Sequence, residues 1–205
     1  MSQFCNLEDR LYTGVGEFGI PEIKPVYEQN ASYWLGFNYV KSQVKTTPRT
    51  GVHFFLDDYQ FERVWNMPNT YVPYLRKFNA VLSPDFSLYM DFPKAIQIYN
   101  HYRKHWLGAY WQEQGLTVIP TIAWSDEDSF EWCFDGEPVG GIVAVSNVGC
   151  MQNKDSKEGF LKGYKEMLRR LEPKEILFYS HSFDHDYEGP VRYIRYMNGL
   201  ADMVG

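Results

Sequence analysis

From Val52 onward the chain alternates apolar runs with polar turns and amphipathic stretches. "VHFFLDD" is followed by a helical pattern over "FERVWNMPNTYVPYLRKF", which Pro68 and Pro73 are expected to break into pieces because each lacks an N–H and fixes φ. "NAVLSPDFSLY" precedes a long helix over "PKAIQIYNHYRKHWLGAYWQEQG", with Pro93 in the first turn and Gly115 as the stop. "LTVIPTIAW" runs into the acidic "SDEDSFEWCF". "GGIVAVSNVG" leads to "SKEGFLKGYKEMLRRLEP", where Phe160, Tyr164, Met167, Leu168 and Leu171 share one helical face. A fifth run, "EILFYSHS", is followed by "PVRYIRYMNGLADMVG".

Runs of Val, Ile, Leu and Phe without polar alternation suit strands covered on both faces, and units of about thirty residues have the size of a βαβ repeat. The pattern predicts an α/β fold with a mainly parallel sheet and flanking helices. A further strand in "YWLGFNYV" brings the total to five or six, short of the eight in a full barrel of ~250 residues. A small or incomplete (β/α) barrel and an open doubly wound sheet both fit. The segment before residue 50, with Gly14, Gly16, Gly19, Pro21 and Pro25, reads as irregular chain packed on one 205-residue domain.

The net charge of -6 disfavours nucleic acid and anionic lipid as partners, since the chain has no bulk positive field. Cys5, Cys133 and Cys150 show no paired spacing, and no apolar stretch is long enough for a signal peptide or membrane span. A cytoplasmic setting is expected.

In either architecture ligands gather where parallel strands end. The residues just after the apolar runs are Asp57, Asp58 and Tyr59; Ser83, Asp85 and Ser87, with Asp91 and Gln97 beyond; Thr121, Trp124 and Ser125; Ser146 and Asn147; then Ser180, His181 and Ser182. Helix capping is the plainer role for Asp58, Asp91, Ser125 and Ser156, because helix N-termini leave amides to satisfy. Of the adjacent pair Asp57 and Asp58, one is expected to cap and the other to face a pocket. Asp85 lies outside any cap position, and its structural alternative is an Asx turn after Pro84.

Other signals are weaker. His101 and His105 are one helical turn apart and can share a metal ion, but no HExxH glutamate lies between them and a solvated face is the plainer reading. "HSFDHDYE" places two histidines and two aspartates in one loop, as ion sites and ordinary surface loops both do. The glycines of "GVGEFG" lack the strand–turn–helix context of a phosphate loop. The aromatics of "HYRKHWLGAYWQ" suit a helix packed on a sheet better than a base-stacking face.

With "FLDDYQFERVW", "LSPDFSLYMDFP", "QIYNHYRKHWLGAYWQEQG", "VIPTIAW", "FDGEPVGGIVAVSNVG" and "FLKGYKEMLRRLEPKEILFY" in this order, the chain resembles the family called domain of unknown function 4417. The resemblance begins near "FGIPEIKP" and implies a setting in bacteria, their phages and mobile elements. It brings no activity with it. It emphasises Asp57, Asp58, Pro84, Asp85, Asp91, Gln97, Gln112 and Trp124, while "SHSFDHDYEG" departs from the family pattern.

The expected function is a pocket protein binding or hydrolysing a small polar, nucleotide-like ligand. Asp57, Asp85 and Asp91 are its candidate catalytic acids, with Mg²⁺ as a conceivable cofactor. Asp58, Tyr59, Ser83, Gln97, Trp124, Ser146 and His181 are the candidate binding residues. The alternatives are a protein that binds and redirects a host protein and, more weakly, nucleic-acid processing.

Overall fold

The computed structural model describes residues 5–42, 48–180 and 191–194. Among the described residues there are seven parallel strands: β1 (Tyr33–Gly36), β2 (Thr50–His53), β3 (Val81–Leu82), β4 (Val118–Ile119), β5 (Ile142–Ser146), β6 (Glu175–Tyr179) and β7 (Val191–Tyr193). They form a four-stranded sheet, β1-β2-β3-β4, and a three-stranded sheet, β5-β6-β7. A parallel bridge between Thr121 and Ala144 joins the two where β4 ends.

Strand order follows chain order throughout and never reverses, whereas a doubly wound sheet reverses at a switch point. Among the described residues no pairing joins β7 to β1, and they form no closed barrel. "YWLGFNYV" supplies β1, as expected. Val191–Tyr193 adds a seventh strand to the five or six expected; three residues are too few for a periodic signal.

The uniform apolar runs have a simple cause. Along each strand alternate side chains enter different cores. Val52, Phe54, Val81 and Val118 pack outward with Val64, Trp65, Trp106 and Trp111 of the helices covering the first sheet. Val143, Val145, Ile176 and Phe178 pack outward against Phe160, Tyr164, Met167 and Leu171. The in-between residues Trp34, Phe55, Leu82, Ile119, Ala144, Leu177 and Tyr179 meet in a third cluster shared by both sheets. Phe55 and Tyr179 stack there with ring centroids 4.8 Å apart. Both faces of the strands are thus dry, and polar alternation has no place.

Among the described residues five α-helices accompany the strands: α1 (Cys5–Asp9), α2 (Arg63–Asn66), α3 (Pro68–Leu75), α4 (Lys94–Glu113) and α5 (Lys154–Leu171). Pro68 opens α3 as expected, but Pro73 lies inside that helix, which runs two residues past it. Gly115 ends α4 with φ +81°, a left-handed conformation that glycine adopts without strain. The caps differ from those expected. Asp126 accepts from Ser129 N at the start of a 3-10 helix (Glu127–Glu131), and Asn153, not Ser156, caps α5. The glycines of "GVGEFG" serve a turn closed by the antiparallel bridge between Val15 and Ile20. The segment before residue 50 is held by Gln112 of α4, whose amide accepts from Lys24 N at 2.8 Å and donates to Lys24 O at 2.9 Å.

Candidate functional site

A cavity of about 450 Å³ opens at the carboxyl ends of β2 to β6, within the range of small-molecule sites. It is lined by Asp57 and Gln60 after β2, by Asp85 and Ser87 to Tyr89 after β3, by Trp124 after β4, and by Ser146 and Tyr179 at the ends of β5 and β6. Two aromatic pairs make up much of its wall. Phe55 stacks on Tyr179, and Trp124 lies 5.2 Å from Phe160 of α5.

Asp85 is one of the acids that line this cavity. It is half-buried, and no hydrogen bond from another described residue reaches its carboxylate. Desolvation pushes its carboxyl up to about 7, with the Lys104 ammonium opposing the rise and the Asp58 charge adding to it. A carboxyl poised near neutrality can accept or donate a proton, or bind a ligand donor, over the physiological range.

The loop carrying Asp85 is fixed from two sides. The Asp58 carboxylate accepts from Ser87 N at 3.1 Å and from Ser87 Oγ at 2.8 Å. From α4, Asn100 Nδ2 donates to Ser87 O at 2.7 Å, and the Arg103 guanidinium lies 3.7 Å from the Phe86 ring centroid. Arg103 is itself anchored by Asn100 Oδ1 at 3.1 Å and Glu62 Oε1 at 2.5 Å. Sequence reading missed Asn100 and Arg103 because both are distant in the chain from Asp85 and sit in a helix whose polar residues look solvent-facing.

The two adjacent carboxylates have separated roles, and neither caps. Asp57 lines the cavity, with Gln60 Nε2 3.4 Å from its Oδ2, while Asp58 is engaged by Ser87. Trp124 and Ser146 lie on the cavity wall; the Ser146 Oγ accepts from Val148 N at 3.1 Å. The remaining expected residues stand off the cavity. Ser83 is buried, its Oγ accepting from Thr121 N at 2.8 Å and its carbonyl from Thr121 Oγ1 at 2.8 Å. Gln97 donates to Phe92 O at 2.9 Å, Tyr59 is exposed, and Asp91 is exposed in the turn before α4. His181 and the rest of "HSFDHDYE" lie outside the described residues.

His101 and His105 are not solvated: both are buried, with Glu137 brought beside them from thirty-two residues further along the chain. The Lys104 ammonium is buried in the same place, donating to Glu137 Oε1 at 2.5 Å and to Thr121 O at 2.9 Å. Cys133 is buried nearby, and desolvation pushes its thiol up to about 12, which leaves it unreactive. Among the described residues no helix is long and apolar enough to cross a membrane.

No solved structure matches the chain. It is 39% identical over 163 residues to the Gene 1 protein of Mycobacterium phage L5, covering 79% of this chain and 71% of that protein. With the Gene 1 protein of Mycobacterium phage D29 it is 46% identical over 128 residues, 62% of this chain and 47% of that protein, so the match spans about half of the D29 relative. The family model described as Domain of unknown function (DUF4417) matches residues 12–197, nearly the whole chain, and the chain belongs to that phage-associated family.

Proposed function

We propose that the protein takes up a small, polar, planar ligand of nucleotide-like chemistry at the carboxyl ends of its strands, with Asp85 as the group that meets it. The observation that carries this reading is a carboxyl near pKa 7, without a hydrogen bond from another described residue, on the wall of a cavity of about 450 Å³. Polar reach comes from Asp57, Gln60 and Ser146, and stacking surface from Trp124 and Tyr179. If the site turns a ligand over, Asp85 is its acid or base, acting directly or through a metal-bound water. The protein acts as a single domain in the cytosol of the host cell.

The test is a thermal-shift screen of the full chain against nucleosides, mono- and dinucleotides and Mg²⁺. A binder of the folded state raises the midpoint in proportion to RT ln(1 + [L]/Kd). The proposal expects at least one compound to raise it in the wild type and to lose that effect in Asp85→Asn. Equal shifts in both proteins would overturn it.

A second reading rests on exposed apolar side chains in the segments that follow β2 and β3. Tyr59, Tyr89 and Met90 are 78%, 58% and 69% exposed. Large apolar side chains in that state suit contact with a host protein. This reading expects Tyr59→Ser with Met90→Ser to abolish a partner's binding while the ligand response of the cavity survives.

A further inference from the structure

The buried cluster on α4 has an electronic feature that packing alone does not explain. The ring centroids of His101 and His105 are 4.4 Å apart. Each ring has one nitrogen committed to a backbone carbonyl: His105 Nδ1 lies 2.9 Å from Pro21 O, and His101 Nε2 lies 3.0 Å from Asp135 O. A carbonyl only accepts, so these nitrogens carry the ring hydrogens. In the neutral tautomers, which burial favours, His105 Nε2 and His101 Nδ1 are bare lone pairs.

Those lone pairs face other acceptors or nothing. His105 Nε2 is 3.0 Å from Glu137 Oε1. His101 Nδ1 and Glu137 Oε2 are buried and have no hydrogen-bond partner. Lys104 accounts for Glu137 Oε1 but not for the second oxygen or the imidazole lone pairs. One donor atom from each of His101, His105 and Glu137 lies within 4.8 Å of the others. Three electron-pair donors converging in a dry interior call for a cation between them.

The surroundings fit a metal better than a proton. Ligating histidines characteristically donate the far ring N–H to a carbonyl or carboxylate, which fixes the tautomer and aims the free nitrogen. Both histidines here are held in that way. The turn that presents Glu137 is built for close approach: Gly136 has φ +75°, and a Cβ there would press on Pro21 O and His105 Nδ1. Two imidazoles and a carboxylate suit borderline dications of the zinc class and do not suit Mg²⁺ or Ca²⁺, which take oxygen ligands.

We propose that His101 Nδ1, His105 Nε2 and the Glu137 carboxylate bind a zinc-class transition-metal dication. The site is separate from the Asp85 cavity and ties α4 to the Pro21 segment and the Asp135–Glu137 turn.

The experiment titrates the full chain, stripped with chelator, first with Co²⁺ as a visible probe and then with Zn²⁺. The expected result is one equivalent of Co²⁺ with ligand-field absorption that Zn²⁺ abolishes, and a higher melting midpoint with Zn²⁺. His101→Ala removes one ligand and a single carbonyl contact, so it should stay folded by circular dichroism and bind Co²⁺ about tenfold or more weakly. A paired variant, His181→Ala with His185→Ala, should bind as the wild type does. Absence of Co²⁺ absorption together with no Zn²⁺-induced stabilisation would overturn the site. So would unchanged binding in folded His101→Ala, which would place the metal elsewhere.

Discussion

Asp58 and Ser87, twenty-nine residues apart, are joined by a two-point clasp in which one carboxylate accepts both the amide N–H and the hydroxyl of the serine. This clasp ties the end of β2 to the loop after β3, two residues beyond Asp85. Breaking it leaves a half-buried amide without its acceptor. Asp58→Ala should therefore cost about 1–3 kcal/mol in urea unfolding, and Ser87→Ala, which keeps the amide bond, about half of that. Equal stability of Asp58→Ala and the wild type would mean that the clasp does not order the loop.

The raised carboxyl of Asp85 predicts a pH dependence of definite sign. The folded protein holds this proton up to about pH 7, while the unfolded chain releases it near the ordinary carboxylate value of 3.8. Between those limits the native state binds more protons, so the contribution of Asp85 to stability declines as pH rises from about 4 to 7. Asp85→Asn should remove that decline and be the more stable protein at pH 8. The gain should be about 1–2 kcal/mol, discounted because the cavity leaves the group partly wet, and should vanish near pH 4. Denaturant melts of both proteins at several pH values read it directly.

His53 predicts the opposite slope. It is buried between Phe55 and Tyr179, its Nδ1 has no hydrogen-bond partner, and desolvation lowers its pKa from 6.5 to about 4. The unfolded chain takes up the proton first, so the contribution is complete above pH 6.5 and is lost as pH falls toward 4. His53→Leu should flatten that acid limb by about 1–3 kcal/mol. Urea unfolding at pH 4.5 and 7.5 checks it, and an unchanged limb would show that other groups carry the acid sensitivity.

Gly163 of α5 predicts a coupling between helix and cavity. A methyl group at this position would overlap the Trp124 indole. On an open helix face, Gly→Ala stabilises by about 1 kcal/mol. Here Gly163→Ala should destabilise instead, displace Trp124 and weaken any ligand that stacks on it. Thermal melts and near-ultraviolet circular dichroism of the variant distinguish the two cases.

How much of this was legible in the sequence follows from which forces are local. The β2 to β6 runs are uniformly apolar and the apolar face of α5 is periodic, both local signals, and the rule that sites gather at strand ends points to Asp57, Asp85, Trp124 and Ser146, which line the cavity. The difference between Asp57 and Asp58 was not legible, because it depends on Ser87, a partner set by tertiary folding. The same holds for α4, where His101 and His105 read as solvated yet are buried together with Arg103 and Lys104. Their partners Glu62, Thr121 and Glu137 lie 41, 17 and 32 or more residues away, beyond any helical spacing.

The central claim is that Asp85 is a desolvated carboxyl presented to an open cavity and available to a ligand. The most direct measurement is a carbon-detected NMR titration of the aspartate carboxyls, with Asp85 assigned by its absence from Asp85→Asn, repeated with the nucleosides and nucleotides of the thermal screen. The account predicts a midpoint near pH 7 that moves when at least one of these compounds binds. A midpoint near 4 that none of them moves would contradict it.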